Sequence, residues 1–81
     1  MIRVKLWGSL RSLADDQDEV EIDARTLKDV RDALSSRFPR LKPQIDRGVS
    51  FAVDGLIYRD DWLLDVTKAN EIVMMPRMVG G

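Results

Sequence analysis

The sequence predicts an α+β domain in which a mixed sheet of four to five strands packs against one helix. Three observations support this fold class. Short stretches alternate apolar and polar residues, one stretch between residues 26 and 38 has helical spacing, and turn-forming residues separate these segments. The predicted order of elements is β-β-α-β-β-β, and 81 residues are enough for a single domain.

The first two predicted strands form a hairpin. Their apolar residues alternate with polar ones, so one face of each strand is expected to lie in the core. These inward positions are Ile2, Val4, Leu6, Val20 and Ile22. Trp7 falls on the opposite face of the first strand, and a polar turn at residues 15–18 connects the two strands.

A helix is predicted to begin after Thr26. The Thr26 hydroxyl suits the free N–H groups of the first turn, and Asp29 three residues later completes the pattern of a capping box. The stripe that follows has the spacing of one helix face. Its members are Leu27, Val30, Leu34 and Phe38. Pro39 is expected to end the helix, and residues 40–48 are predicted to be a connection anchored by Leu41 and Ile45.

The second half of the chain predicts three more strands. A third strand contains Val49, Phe51 and Val53, and the Asp-Gly pair at 54–55 favours a tight hairpin to a short strand at 56–58. A loop follows, and its apolar residues need cover from the core. They are Trp62, Leu63, Leu64 and Val66. The last strand is predicted at residues 72–75, with Pro76 as its stop.

Composition excludes several kinds of chemistry. The chain contains no cysteine, which removes disulfides, thiolate metal sites and thiol catalysis. It also contains no histidine, the commonest metal ligand and the usual general base near neutral pH. We expect no bound metal and no cofactor held by this chain. No signal peptide or membrane span is predicted, so a cytoplasmic protein is the default expectation.

Charge is unevenly distributed along the chain. Acidic residues are concentrated between residues 15 and 23, where they alternate with core positions and lack the spacing of a metal-binding loop. Arginine and lysine are concentrated between residues 25 and 47, on the polar face of the predicted helix and in the segment after it. We interpret both as solvated surfaces. Nucleic-acid binding is the alternative for the basic segment, although no aromatic residues are interleaved with its charges.

The chain ends in Arg-Met-Val-Gly-Gly. Residues 1–76 are predicted to form the domain and residues 77–81 a flexible C-terminal Gly-Gly tail. Glycine lacks a side chain, so such a tail fits a slot too narrow for any Cβ atom, and five residues extend roughly 17 Å. A terminal carboxylate reacts as an electrophile only after another molecule activates it. The alternative is an ordinary frayed terminus.

The chain contains Leu-Trp-Gly-Ser-Leu-Arg-Ser-Leu-Ala at residues 6–14, Arg-Phe-Pro at residues 37–39 and a Gly-Gly end. With these segments the whole chain resembles the MoaD/ThiS family of sulfur-carrier proteins, and in particular the small subunit of molybdopterin synthase. Residues 6–14 (Leu-Trp-Gly-Ser-Leu-Arg-Ser-Leu-Ala) resemble the first-strand signature of the MoaD type. Residues 26–30, 37–39, 53–55 and 70–73 resemble its helix start, helix end, Val-Asn-Gly hairpin and last turn. The resemblance implies a ubiquitin-like β-grasp, with the first and last strands paired in parallel at the centre of the sheet.

The resemblance also implies a function for the tail. In this family a separate activating enzyme uses ATP to adenylate the C-terminal carboxylate, here that of Gly81, which is then converted to a thiocarboxylate that donates sulfur. The chain itself is expected to be a carrier and not an enzyme. Its implied partners are the activating enzyme, a sulfur donor and a large catalytic subunit such as that of molybdopterin synthase. Neither nucleic acid nor membrane is implied.

Docking is expected to require a surface as well as a tail. Residues 77–80 would be presented to the partner's active site; they are Arg77, Met78, Val79 and Gly80. If the first and last strands are neighbours, Trp7, Val73 and Met75 form an apolar patch beside Pro76. The alternative is that Trp7 or Met75 merely covers the sheet edge. Arg77 and Met78 depart from the family's usual Pro and small apolar residue, and Arg77 is either a contact to an acidic partner groove or a solvated linker residue.

Other functions remain open at this point. Sulfur delivered by the same chemistry serves thiamine, thiolated tRNA bases or cysteine as well as molybdopterin. A ubiquitin-like modifier or binding module is the second class, acting through its surface or by attachment to lysines. A small carboxylate enzyme is the third and least favoured class, because no carboxylate pair has a recognisable catalytic spacing.

Overall fold

Five strands of the described chain form one mixed sheet in the order β2-β1-β5-β3-β4. The computed structural model describes residues 1–77. The strands are β1 (Ile2–Leu6), β2 (Glu19–Ile22), β3 (Val49–Val53), β4 (Leu56–Tyr58) and β5 (Ile72–Pro76). Every predicted strand is present, and β5 runs one residue further than predicted because Pro76 pairs with Val49.

The centre of the sheet is a parallel pair of strands. Val4 pairs with Ile72 and Leu6 with Met74 in the β1–β5 ladder, whereas the other neighbouring strands run antiparallel. These four side chains are buried. The predicted ubiquitin-like β-grasp, including the parallel pair inferred from the family resemblance, is confirmed.

Helix α1 (Leu27–Arg37) covers one face of the sheet and begins as predicted. The Asp29 backbone N–H donates to the Thr26 hydroxyl (3.3 Å), and the Thr26 N–H donates to the Asp29 carboxylate (3.2 Å). This capping box satisfies donors that the first turn of a helix leaves free. The predicted apolar stripe of the helix, through Phe38, is buried against the sheet.

The segment after α1, which was predicted only as a connection, is helical. A 3₁₀ turn (Pro39–Leu41) leads directly into a short helix, α2 (Lys42–Arg47). Leu41 and Ile45 are buried, four residues apart, as on one face of a helix. Proline is tolerated in the first turn of a helix, and Gly48, with a φ of +130°, ends it.

The loop between β4 and β5 lies against the start of α1. The N–H of Leu27 donates to the Leu64 carbonyl and that of Lys28 to the Trp62 carbonyl. Trp62 meets Phe51 edge to face at 6.1 Å, and Val66 is fully buried. Leu63 departs from expectation, because it remains 84% exposed and finds no cover within the described chain.

The link between β1 and β2 is also more regular than predicted. A 3₁₀ helix (Gly8–Ala14) turns the chain away from the sheet and buries Leu10 and Ala14. Asp15 and Asp16 then adopt positive φ in the polar turn that leads into β2. Among residues 1–77 no helix has the length and hydropathy needed to cross a bilayer.

Candidate functional site

The tail leaves the domain from the end of the central strand β5. Pro76 stands opposite Val49 in the β3–β5 ladder. The N–H of Arg77 donates to the Gly48 carbonyl, and because hydrogen-bonded and non-hydrogen-bonded pairs alternate, Pro76 and Val49 form a non-hydrogen-bonded pair. The Pro76 nitrogen therefore faces β1, where the ladder has already ended. There the Trp7 carbonyl accepts from Leu10 in the 3₁₀ helix (3.2 Å). A proline at this place removes no bond from the sheet.

Arg77, the last described residue, folds back onto the domain. Its N–H donates to the Gly48 carbonyl (3.3 Å), and its Nη2 donates to the Asp60 carboxylate (3.3 Å). A longer contact of 3.5 Å joins Nη2 to the Arg59 carbonyl. The side chain is 31% exposed. The predicted alternatives for Arg77, a partner contact or a solvated linker, did not include these contacts within its own domain.

The face of the sheet opposite the helices holds three of the predicted docking residues, Trp7, Val73 and Met75. Lys5 pairs with Val73, so these two side chains lie on the same face, opposite to the buried Leu6–Met74 pair. Met75 lies two residues further along this face of β5. Trp7 continues β1 beside it, with its N–H on the Met74 carbonyl (3.0 Å).

The predicted docking residues differ in exposure. Trp7 is 62% exposed, whereas Val73, Met75 and Pro76 are half-buried. The structure brings Trp7, Val73 and Met75 together on one face, whereas Pro76 pairs with buried Val49 and lies on the other face at the root of the tail. That they bind a partner stays a prediction. The predicted roles of Met78, Val79, Gly80 and Gly81 lie outside the described residues.

The apolar part of this face is larger than the predicted patch of Trp7, Val73 and Met75. Ala52 pairs with Val73 on one side and with Ile57 on the other, so all three side chains share the outer face. Ile57 is 63% exposed. We call this set the outer apolar patch; its members are Trp7, Ala52, Ile57, Val73 and Met75. The Asp-Gly hairpin contained the signal for Ile57, because a two-residue turn pairs residue 53 with 56 and hence 52 with 57.

On the side of β2 the outer face is charged, and its charged side chains pair with one another. Arg3 lies between Glu19 (3.6 Å) and Glu21 (3.4 Å), and Lys5 bonds to Glu71 (3.1 Å). All of these are surface pairs that contribute little to stability. They border the outer apolar patch on the side of β2, which is the usual arrangement of an apolar interface core with a polar rim.

The opposite side of the molecule carries an open groove of ≈ 690 Å³ between α1, α2 and Arg77. Six of its charged side chains form three pairs, Arg31 with Asp32, Lys42 with Asp46, and Arg77 with Asp60, and Arg47 also lines it. Within residues 1–77 there is no group of three carboxylates placed to hold a metal ion.

Two carboxyl groups have clearly lowered pKa values, and both are structural. Backbone N–H groups of Arg25 and Thr26 donate to Asp29 and lower its pKa. The Thr67 hydroxyl donates to Asp65 (2.6 Å), as does the Thr67 N–H (2.8 Å), and these bonds lower the pKa of Asp65. Hydrogen bonding to the ionised form is the cause in both cases. Neither carboxylate lies on the outer face or at the tail.

Comparison with protein families gives a match to the ThiS family over residues 4–81. No curated protein sequence is similar to the chain at a meaningful level. The family match includes the Gly-Gly terminus as well as the strands that form the outer face.

Several solved structures share the fold. The small archaeal modifier protein SAMP1 from Methanosarcina acetivorans is similar with a TM-score of 0.74 and 23% identity, over 98% of this chain and 94% of that one. A chain of the BexX/CysO complex from Amycolatopsis orientalis has a TM-score of 0.75 and 18% identity, over 98% of both chains. A protein described as molybdopterin converting factor subunit 1, from Pyrococcus furiosus, has a TM-score of 0.68 and 24% identity, over 91% of this chain and 93% of that one.

Proposed function

Because the chain belongs to the ThiS family of ubiquitin-like sulfur carriers and modifiers, we propose that it carries sulfur as a thiocarboxylate on Gly81. The observation that carries this proposal is the family match, which extends through the Gly-Gly terminus. A chain without cysteine has no thiol on which to carry a persulfide. The terminal carboxyl group is then the place where sulfur is held.

The proposed chemistry has two steps, both catalysed by partners. An activating enzyme joins the Gly81 carboxylate to the AMP part of ATP and releases pyrophosphate. Sulfide (HS⁻) supplied by the sulfur donor then attacks the acyl carbon, AMP leaves, and a thiocarboxylate remains. The chain acts as co-substrate in both steps, and the absence of histidine agrees with a carrier that supplies no general base.

Molybdopterin synthesis is the pathway that we propose for the sulfur. Support comes from the MoaD-type segments at residues 6–14 and 37–39 and from the likeness to the Pyrococcus furiosus subunit. The acceptor partner would be the large catalytic subunit of molybdopterin synthase. In this proposal the outer apolar patch docks on the partner, and the tail beside it enters the partner's active site.

A second candidate is protein modification, favoured by the likeness to SAMP1, which is described as a modifier protein. The likeness to a chain of the BexX/CysO complex keeps other sulfur-transfer routes in view, including thiamine, tRNA thiolation and cysteine synthesis. All of these would begin with activation of the same carboxyl group, so the first step does not separate them.

Intact mass spectrometry tests the proposal. The protein is incubated with ATP, a sulfur donor and the activating enzyme of its host. We expect a mass gain equal to the replacement of one oxygen atom by sulfur, and no gain in a variant that lacks Gly81. Absence of the gain in the wild type would contradict the carrier function, and attachment only to lysines would favour the modifier. Co-purification with a large subunit or with a thiazole synthase would then separate the pathways.

A further inference from the structure

The root of the tail is held by a backbone bond that extends the β3–β5 ladder. The residue after a terminal strand is usually free to fray. Here the N–H of Arg77 donates to the carbonyl of Gly48, one step beyond the last strand pair, Val49 with Pro76. The order of β5 therefore continues into the first residue of the tail.

The stem of Arg77 packs on a place that only glycine leaves free. A Cβ atom on Gly48 would lie 3.3 Å from Cδ of Arg77 and 3.6 Å from its Cβ and Nε. Gly48 also has a φ of +130°, which strongly favours glycine. The apolar stem of an arginine can lie flat on backbone in this way while its head stays at the surface.

The guanidinium group reaches across the groove to the loop after β4. Its Nη2 bonds to Asp60 (3.3 Å), and the Arg59 carbonyl is at 3.5 Å. Nε has almost no exposed surface and makes no hydrogen bond within residues 1–77. A shielded N–H of this kind should exchange slowly with water as long as the side chain stays in place.

We infer that Arg77 is a positioning residue that anchors the root of the tail on Gly48 and Asp60. The contacts alone support the anchoring of Arg77. Its effect on the activation of Gly81 also rests on the proposed function. With Arg77 anchored, four residues remain to reach a partner's site, about 13–14 Å when fully extended. A shorter tail with an ordered root samples less space, which raises the effective concentration of Gly81 at a docked partner site.

The anchor should therefore lower the KM of the activating enzyme for this protein and leave kcat unchanged. Ordering the root before binding reduces the entropy lost when the tail enters its slot. Chemistry at Gly81 does not involve Arg77, so the rate of the bound complex is not affected. A variant at Asp60 tests this without altering the tail that the partner recognises, and Asp60 is 77% exposed, so its removal should leave the fold intact.

The structural part is tested by NMR on the isolated full-length protein. Asp60→Ala should speed exchange of the Arg77 Nε proton about two- to fivefold, the range expected for the loss of one exposed ion pair, and lower the heteronuclear NOE of the Arg77 amide. The matched control is Asp61→Ala, which removes the same charge from the neighbouring position. Equal exchange in the wild type and Asp60→Ala would overturn the inference.

The functional part is tested by ATP–pyrophosphate exchange with the host's activating enzyme. We expect Asp60→Ala to raise KM about two- to fivefold with kcat unchanged, and Asp61→Ala to match the wild type. An equal change in both variants, or a fall in kcat alone, would overturn the positioning role. If the wild type itself is not activated, the proposed function fails, and the NMR comparison still decides whether the anchor exists.

Discussion

Asp54 has two structural tasks at one position. It adopts a positive φ of 49° in the β3–β4 hairpin, and its Oδ1 accepts from the N–H groups of Asn70 and Glu71, both at 2.9 Å. The hairpin is thereby tied to the start of β5. Asparagine and aspartate tolerate positive φ better than other residues that have a side chain, and both offer the same acceptor oxygen.

We therefore predict that one substitution of Asp54 preserves stability and another lowers it. Asp54→Asn keeps the acceptor and the backbone preference, so the free energy of unfolding should stay within about 0.5 kcal/mol of the wild type. Asp54→Ala leaves two N–H groups without their acceptor and should lower it by about 1–2 kcal/mol. Urea denaturation of the three proteins measures both. Equal stability of the alanine and asparagine variants would show that the bonds contribute nothing.

Asp29 predicts a dependence of stability on acid pH. Hydrogen bonds from the backbone N–H groups of Arg25 and Thr26 hold its pKa below the ordinary value of 3.8. Because the folded pKa is the lower one, the ionised carboxylate stabilises the fold above pH 3.8, and this contribution is lost as the pH falls through the folded pKa.

The expected measurement compares the wild type with Asp29→Asn in urea at a series of pH values. Near neutral pH the wild type should be the more stable, by a constant difference in the free energy of unfolding. That difference should shrink once the pH falls below 3.8. A difference that stays constant into acid would mean that the carboxylate charge plays no part in the capping box.

Residue-scale features were predictable from the sequence where the partners are close in the chain. Thr26 and Asp29 are three residues apart, so their capping box follows from local spacing. The contact of Arg77 with Gly48 and Asp60 depends on the register of β3 against β5 and on the path of the loop after β4. No local pattern encodes it, so the sequence indicated for Arg77 only a partner contact or a solvated linker residue.

At the scale of elements, periodicity predicted the strands and α1 but not α2. Helix α1 carries three buried apolar residues on one stripe, which Phe38 continues at the C-cap, whereas α2 has six residues and buries only Ile45. A single anchored turn is too short to show a repeat, and the Pro at its start reads equally as a loop signal. Burial of Leu63 was predicted wrongly for a related reason, since an apolar residue in a loop need not lie in the core.

Truncating a side chain of the outer apolar patch should weaken docking, whereas truncating an exposed apolar side chain elsewhere should not. Ile57 lies on the patch and Leu63 lies in the loop after β4, and both are exposed apolar side chains of equal size. If the patch docks on the activating enzyme, Ile57→Ala should weaken binding about fivefold or more, as truncation of an interface residue commonly does. Leu63→Ala should leave it unchanged.

Binding is measured by titration calorimetry with the host's activating enzyme, and the two alanine variants control for each other. Both side chains are largely exposed, so both variants should retain wild-type stability within about 0.5 kcal/mol. Weakening by Leu63→Ala and not by Ile57→Ala would place the docking surface on the helical side of the molecule and exclude the patch.

At the scale of the whole molecule, the topology joins the tail to the core. Alternation predicted that β1 and β5 each bury one face, but it contains no information on which strands are neighbours. Their parallel pairing followed from the family resemblance, and it places the longest-range ladder at the centre of the sheet. The strand that leads into the tail is thus held on both sides, by β1 and β3.

The stability of the core should therefore not depend on the C-terminal glycines. All the buried apolar side chains identified in the described chain fall between Val4 and Met74. We predict that a chain lacking Gly80 and Gly81 unfolds cooperatively with a free energy within about 0.5 kcal/mol of the full chain, because no core group is removed. In the same urea assay Leu34→Ala, which empties a fully buried site under α1, should lose about 2–5 kcal/mol of unfolding free energy.

The expected activities of the two variants are reversed: the shortened chain cannot gain sulfur, whereas the fraction of Leu34→Ala that stays folded can. A shortened chain as unstable as Leu34→Ala would show that the glycines belong to the fold, and the carrier interpretation of the terminus would lose its physical basis.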